Sequence, residues 1–231
     1  MRAPLPPLQD IAAVLFDLDG TFADTAPDLA YAVNAQRRRR NQEPLPIEVL
    51  RPHVSSGARG MLREGLGLTP GHEEYETARQ EFLRIYSENI CRDTRLFDGM
   101  EQLIDELEGR GLRWGIVTNK QSTYTEPLLE ALDITRRAGC IVSGDTTPHA
   151  KPHPAPLLEA SARLGVAPSR CAYLGDDERD VQASQAAGMI PVVALYGYLG
   201  LDKPPEQWGA SLYLSAPLDL LKLLGAPLSM G

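Results

Sequence analysis

Apolar positions along this chain follow two rhythms. Short, unbroken apolar runs bounded by Gly, Asp or Asn predict buried strands over residues 11–16, 112–117, 140–142, 171–174, 191–195 and 211–214. Between them, apolar residues recur at helical spacing. Met100, Leu103, Ile104 and Leu107 form one such stripe, ended by Gly109 and Gly111. Leu157, Leu158, Ala162 and Leu164 mark another, ended by Gly165. Residues 127–132, 179–187 and 218–224 complete the helical set, with Gly188 just after the second of these. Strand and helix signals that alternate in this way predict an α/β fold, a doubly wound parallel sheet with helices on both faces.

The alternation breaks once. After the first strand the chain runs through helical patterns at 28–40, 47–52, 58–66 and 73–91, with no good strand candidate. Leu29, Ala32, Val33 and Gln36 share one face of the first of these helices, and Phe82, Ile85 and Tyr86 one stripe of the last. Residues 22–92 are therefore expected to be an inserted small α-helical domain, with 1–21 and 93–231 forming the core. Residues 4–9 read as an extended lead-in.

Length and charge narrow the function. A chain of 231 residues accommodates a core plus a small insertion. A net charge of −8 disfavours nucleic acid and acidic membranes as partners, so any anionic substrate must meet locally placed positive charge. The four consecutive arginines, Arg37 to Arg40, read as a solvated helix end that complements the helix dipole. Cys91, Cys140 and Cys171 are odd in number and lack metal-ligand spacing, which predicts reduced thiols in a cytoplasmic protein. No signal peptide and no membrane span are expected. Oligomeric state is left at monomer or homodimer.

In open α/β sheets, ligands bind beyond the carboxyl ends of the strands. The first strand ends in Asp17-Leu18-Asp19-Gly20-Thr21. Strand alternation would point Asp17 and Asp19 into one small volume, where their repulsion calls for a divalent cation with oxygen ligands. The second core strand delivers Thr118-Asn119-Lys120, the third leads through a loop to Lys151, and the fourth gives Gly175-Asp176-Asp177-Glu178-Arg179-Asp180. A hydroxyl, an ammonium and several carboxylates are thus brought to one sheet edge.

Those four sets, in that order, resemble the motifs of the haloacid dehalogenase superfamily, whose core is Rossmann-like and often carries a helical cap after the first motif. Asp24-Thr25, the run from Gly111 to Lys120, and Ala186-Ala187-Gly188-Met189 are similar to the phosphoglycolate phosphatase branch. Val54 to Arg59 and Tyr196-Gly197-Tyr198 also resemble N-acetylmuramic acid 6-phosphate phosphatases. Phe22 and Ala23 depart from the family, which commonly has Leu first in that pair.

The resemblance implies a magnesium-dependent phosphatase acting on a small-molecule phosphate ester. Asp17 is then the nucleophile and Asp19 the general acid and base. Asp17, Asp176 and the backbone carbonyl of Asp19 hold Mg2+. Thr118, Asn119 and Lys151 bind the phosphoryl group, and Asp180 and Asp177 play supporting roles around metal and lysine. Arg51, Ser56 and Arg59 are the candidates in the cap for selectivity, since a guanidinium there could meet a substrate carboxylate. Asp19 argues against a dehalogenase, because a halide needs no proton. A β-phosphoglucomutase-type isomerase is the alternative that keeps all four motifs.

Overall fold

A computed structural model describes residues 8 and 10–224; apart from Leu8, the expected lead-in at 4–9 lies outside the described residues. In chain order the elements are β1 (Ala13–Phe16), β2 (Ala23–Asp24), α1 (Ala26–Arg39), α2 (Ile47–Leu50), α3 (Gly57–Leu66), α4 (Tyr75–Glu88), β3 (Arg95–Leu96), α5 (Met100–Gly109) and β4 (Arg113–Val117). They continue with α6 (Ser122–Ala131), β5 (Cys140–Val142), α7 (Ala155–Leu164), β6 (Cys171–Gly175), α8 (Glu178–Ala187), β7 (Ile190–Ala194), β8 (Leu212–Leu214) and α9 (Asp219–Leu223).

Six strands form one parallel sheet in the order β5-β4-β1-β6-β7-β8. β1 lies inside it, with Phe16 level with Ile116 on one side and Leu174 on the other. Alternation sends its side chains to two cores. Val14 and Phe16 join Trp114, Ile116 and Leu174 under α5, while Ala13 and Leu15 join Val117, Tyr173 and Leu157 on the opposite face. The strand order reverses at β1, so the crevice of a doubly wound sheet opens where β1 ends.

Helices α1 to α4 build a separate core from Leu29, Val33, Met61, Leu62, Phe82 and Ile85. The expectation that residues 22–92 lack a strand needs one correction. Ala23–Asp24 pairs antiparallel with Arg95–Leu96, where the chain leaves the sheet and returns to it. Two residues are too few to show a strand pattern in the sequence. Asp28, at the start of α1, ties the same two connections together, accepting from Asp93 N at 2.9 Å, Thr94 N at 3.0 Å and Thr94 Oγ1 at 2.7 Å.

The segment expected as helix at 47–52 splits into α2 and a 3-10 turn, Arg51–Ser56, that ends at Gly57 with φ of 58°. The arginine run ends α1 with Arg38, Arg39 and Arg40 exposed, as expected of a solvated helix end. Arg37 donates to the Gly65 carbonyl, and at the surface Arg39 pairs with Glu81 and Arg40 with Glu74 at 2.8 Å. The three cysteines are free thiols.

Phe22, the departure noted in the sequence, is fully buried. It stacks on Trp114 at 5.7 Å between centroids and meets the edge of Phe16 at 5.6 Å. It thus packs the exit of the first motif into the core. Phe22→Ala should cost about 3–5 kcal/mol of stability, as for other buried aromatic deletions. Urea unfolding followed by tryptophan fluorescence measures this, and a loss below about 1 kcal/mol would contradict the packing described.

Candidate active site

The carboxyl ends of β1, β4 and β6 converge on a cavity of about 300 Å³ roofed by α1, α4 and the 3-10 turn. Asp17, Asp19, Thr118, Asn119, Lys151, Asp177, Asp180 and Ser56 all line it. Strand geometry stops at Phe16, however. Leu18 turns into the core, and Asp19 forms an isolated bridge to Ala23 instead of continuing β1. The two carboxylates of the first motif therefore separate, and each acquires its own lysine.

Asp17 meets Lys151 Nζ at 2.8 Å. The same ammonium meets Asp180 at 2.7 Å and donates to Tyr173 Oη at 2.7 Å and the Val117 carbonyl at 3.2 Å. Lys151 is 5 % exposed. Burial alone would lower its pKa, yet Asp17 and Asp180 hold it above the usual lysine value. Asn119 fixes the loop that carries it: its amide donates to the Lys151 carbonyl and accepts from the Lys151 N–H, both at 2.9 Å. The Asn119 side chain therefore holds the loop of Lys151.

Asp176 follows β6 and is 1 % exposed. Thr21 Oγ1 donates to it at 2.9 Å and the Tyr198 N–H at 2.7 Å. Burial, and then the charges of Asp17 and Asp180, raise its pKa well above the carboxylate range. Asp180 is pushed up to about 7 by burial and by Asp17 and Asp177, against the pull of Lys151. Oxygens of Asp17, Asp176 and Asp180 lie within 4.8 Å of one another. Three hard carboxylates gathered in a buried volume, only two of them paired with the one ammonium, suit a divalent cation. The acidic triad takes Asp180 as its third side chain, whereas the Asp19 carboxylate faces elsewhere.

Asp19 accepts from Lys120 Nζ at 2.8 Å and from Thr25 Oγ1 at 2.5 Å. Burial works against the Lys120 charge, but Asp19 and Tyr86 hold its pKa above normal. Thr118 Oγ1 accepts from the Lys120 N–H at 3.1 Å and faces the cavity with its own proton still to give. Asp177 caps α8 in a reciprocal capping box with Asp180. It is gripped by Arg179 at 2.7 and 2.9 Å, which holds its carboxyl below the usual range despite burial.

Of the candidates in the insertion, only Ser56 reaches this cavity. Arg51 pairs with Asp24 at 2.7 Å and lies over the Tyr198 ring at 5.6 Å, so its guanidinium belongs to the hinge. Arg59 lines a neighbouring cleft between α3 and α8.

The sequence reading gave no role to Lys120, Arg179, Tyr86 or Tyr198. Lys120 stood next to the second motif. Tyr198 follows β7, a strand end left out of the survey of polar termini. Its hydroxyl accepts from Thr25 N and Ala26 N at 2.8 and 2.9 Å and donates to Asp24 at 2.9 Å. Arg179 reaches across to the Ser55 carbonyl at 2.6 Å.

Residues 14–194 match the family model described as haloacid dehalogenase-like hydrolase. The chain is 38 % identical over 214 residues to the N-acetylmuramic acid 6-phosphate phosphatase of Pseudomonas aeruginosa, covering 93 % of this chain and 95 % of that one. It is 42 % identical over 208 residues to the phosphoglycolate phosphatase of Xanthomonas campestris, covering 90 % and 94 %. Among solved structures, a predicted phosphoglycolate phosphatase from Haemophilus somnus superposes with a TM-score of 0.82 at 25 % identity, covering 94 % of this chain and 100 % of that one. Likeness that spans almost the whole of both chains, on a sheet that brings the four motifs to one edge, places the protein: it belongs to the haloacid dehalogenase-like hydrolase family.

Proposed function

We propose that the chain is a magnesium-dependent phosphatase that hydrolyses a small phosphate ester through an aspartyl phosphate, with 2-phosphoglycolate as the first candidate substrate. One observation carries the reading: Asp17 faces the cavity at the end of β1, held by Lys151 within reach of Asp176 and Asp180. Residues 22–92 act as the cap over this site.

Asp17 attacks phosphorus, and the bond from phosphorus to the ester oxygen breaks as Asp19 delivers a proton to the departing alkoxide. Asp19 then takes a proton from water, whose oxygen attacks the aspartyl phosphate. Inorganic phosphate leaves and the Asp17 carboxylate is restored. Thr118 donates to a phosphoryl oxygen, and Lys151 balances the charge that gathers on nucleophile and phosphate. Asp17, Asp176, Asp180 and the Asp19 backbone carbonyl are the groups that would hold magnesium, which supplies positive charge against the repulsion between carboxylate and phosphate.

A second substrate is supported by the size and lining of the cavity. Phe82, Leu83 and Tyr124 give the roof an apolar and aromatic wall, and about 300 Å³ exceeds what a glycolyl group fills. N-acetylmuramic acid 6-phosphate would use that space.

Phosphate release from both compounds, from glucose 6-phosphate and from β-glucose 1-phosphate tests the assignment. Selective release from one of the first two is expected; sugar isomerisation without net phosphate release would instead identify a mutase. Asp17→Asn should lower kcat by about a thousandfold or more while the protein stays folded by circular dichroism. Treatment with EDTA should abolish turnover and added Mg2+ should restore it, and full activity in the chelator would contradict a metal role for the aspartate triad.

A further inference from the structure

The charged side chains of the fourth motif divide between two tasks. Asp176 and Asp180 turn to the carboxylate cluster. Asp177 and Arg179, which lie between them in the chain, turn to each other. Arg179 Nε and Nη2 donate to the two Asp177 oxygens at 2.7 and 2.9 Å, the forked pairing that suits a planar guanidinium. Asp177 also accepts from the Arg179 backbone N–H at 2.9 Å as it caps α8. The guanidinium is thus aimed by a carboxylate that is itself fixed to the helix start, and the proposed chemistry leaves both groups unused.

The aimed group reaches out of the core. Arg179 Nη2 donates to the Ser55 carbonyl at 2.6 Å. Ser55 belongs to the 3-10 turn Arg51–Ser56 of the insertion, and Ser55, Ser56, Gly57 and Ala58 line the cavity. At its other end the same turn is tied to the hinge, where Arg51 pairs with Asp24 at 2.7 Å. Its back lies directly on α3, since a Cβ at Gly60 would overlap the His53 carbonyl. The Ser55 hydroxyl is buried at the cavity wall with no partner among the described residues, so the seating of this turn decides where an unspent polar group faces.

We infer that Arg179, aimed by Asp177, is the clasp that seats the 51–56 turn against the core, a positioning residue for the wall that meets the leaving group. This rests on the reading of residues 22–92 as the cap of a phosphatase site. The clasp needs the fork and its aim, because one guanidinium must hold Asp177 and the Ser55 carbonyl together. A bare charge at position 179 does not replace it.

The competing role for Arg179 is a direct one, as positive charge on the phosphoryl group. The two roles differ in sign at Asp177. Asp177→Asn keeps the cap of α8 but removes a negative charge and loosens the aim of the guanidinium. It harms a clasp, and it strengthens anion binding if Arg179 acts by charge alone.

The test uses the full chain and the variants Arg179→Met, Arg179→Lys and Asp177→Asn. The Arg179 side chain is 40 % exposed, so none of these opens the core, and thermal melting checks that each stays folded. Amide hydrogen exchange needs no turnover: exchange across 54–60 should rise about tenfold or more in Arg179→Met, and also in Arg179→Lys and Asp177→Asn, while that of β1 and β6 stays unchanged. For whichever of 2-phosphoglycolate and N-acetylmuramic acid 6-phosphate the wild-type chain hydrolyses, KM should rise about tenfold in Arg179→Met, as for loss of one charged hydrogen bond. Inhibition by inorganic phosphate, which does not need the turn, should stay within about twofold. Unchanged exchange at 54–60, or weaker phosphate inhibition in Arg179→Met with stronger inhibition in Asp177→Asn, overturns the clasp and leaves the phosphatase reading intact. Faster exchange in all three variants of a wild-type chain that hydrolyses neither ester supports the clasp and overturns the substrate reading instead.

Discussion

The ammonium of Lys151 is the contact on which the rest of the site depends. It sits in a buried volume against Asp17 and Asp180 and receives further support from Tyr173 and the Val117 carbonyl. Two carboxylates could not share that space as anions without it, since an uncompensated buried charge costs several kcal/mol. Its placement is indirect. Lys151 lies on a loop, and the Asn119 side chain bonds both its carbonyl and its N–H. Three strand ends, those of β1, β4 and β6, are thereby fixed relative to one another through a single amine.

A second lysine solves a second problem. Asp17 and Asp19 are two residues apart, and on a continuing strand they would crowd each other. The chain leaves strand geometry at Phe16, Leu18 anchors in the core, and Asp19 swings to Lys120 and Thr25. One carboxylate joins the cluster suited to a metal, and the other stands apart with its own cation. Two neighbouring aspartates thereby sit in different surroundings, one against Lys151 and the other against Lys120 and Thr25.

The hinge is wired to the same centre. Tyr198 offers its backbone N–H to Asp176 and its hydroxyl to the start of α1, so the group nearest the cluster and the entry to the insertion share one residue. A Cβ at Gly197 would overlap the Asp176 side chain and the Gly20 carbonyl, which is why a glycine precedes it. Arg179 completes the link from the other side, gripping Asp177 in the core and the Ser55 carbonyl in the insertion. Movement of the insertion must therefore break or carry with it contacts that reach the carboxylates directly.

The sequence by itself determined the parallel sheet, the helical insertion and the residues at the strand ends, because each rests on a local pattern: an apolar run, a helical stripe, a polar group just past a strand. Asp17, Asp19, Thr118, Asn119, Lys151, Asp176, Asp177 and Asp180 were legible for that reason. Tertiary structure alone decided which carboxylate meets which lysine, and it made Asn119 a clasp for the Lys151 loop and Arg51 a hinge residue. It also made a partner of Tyr198, 22 residues beyond Asp176 in the chain. Those outcomes depend on side-chain directions where the chain abandons regular geometry, at Leu18, at Gly57 and after β7, and no periodicity in the sequence carries that information.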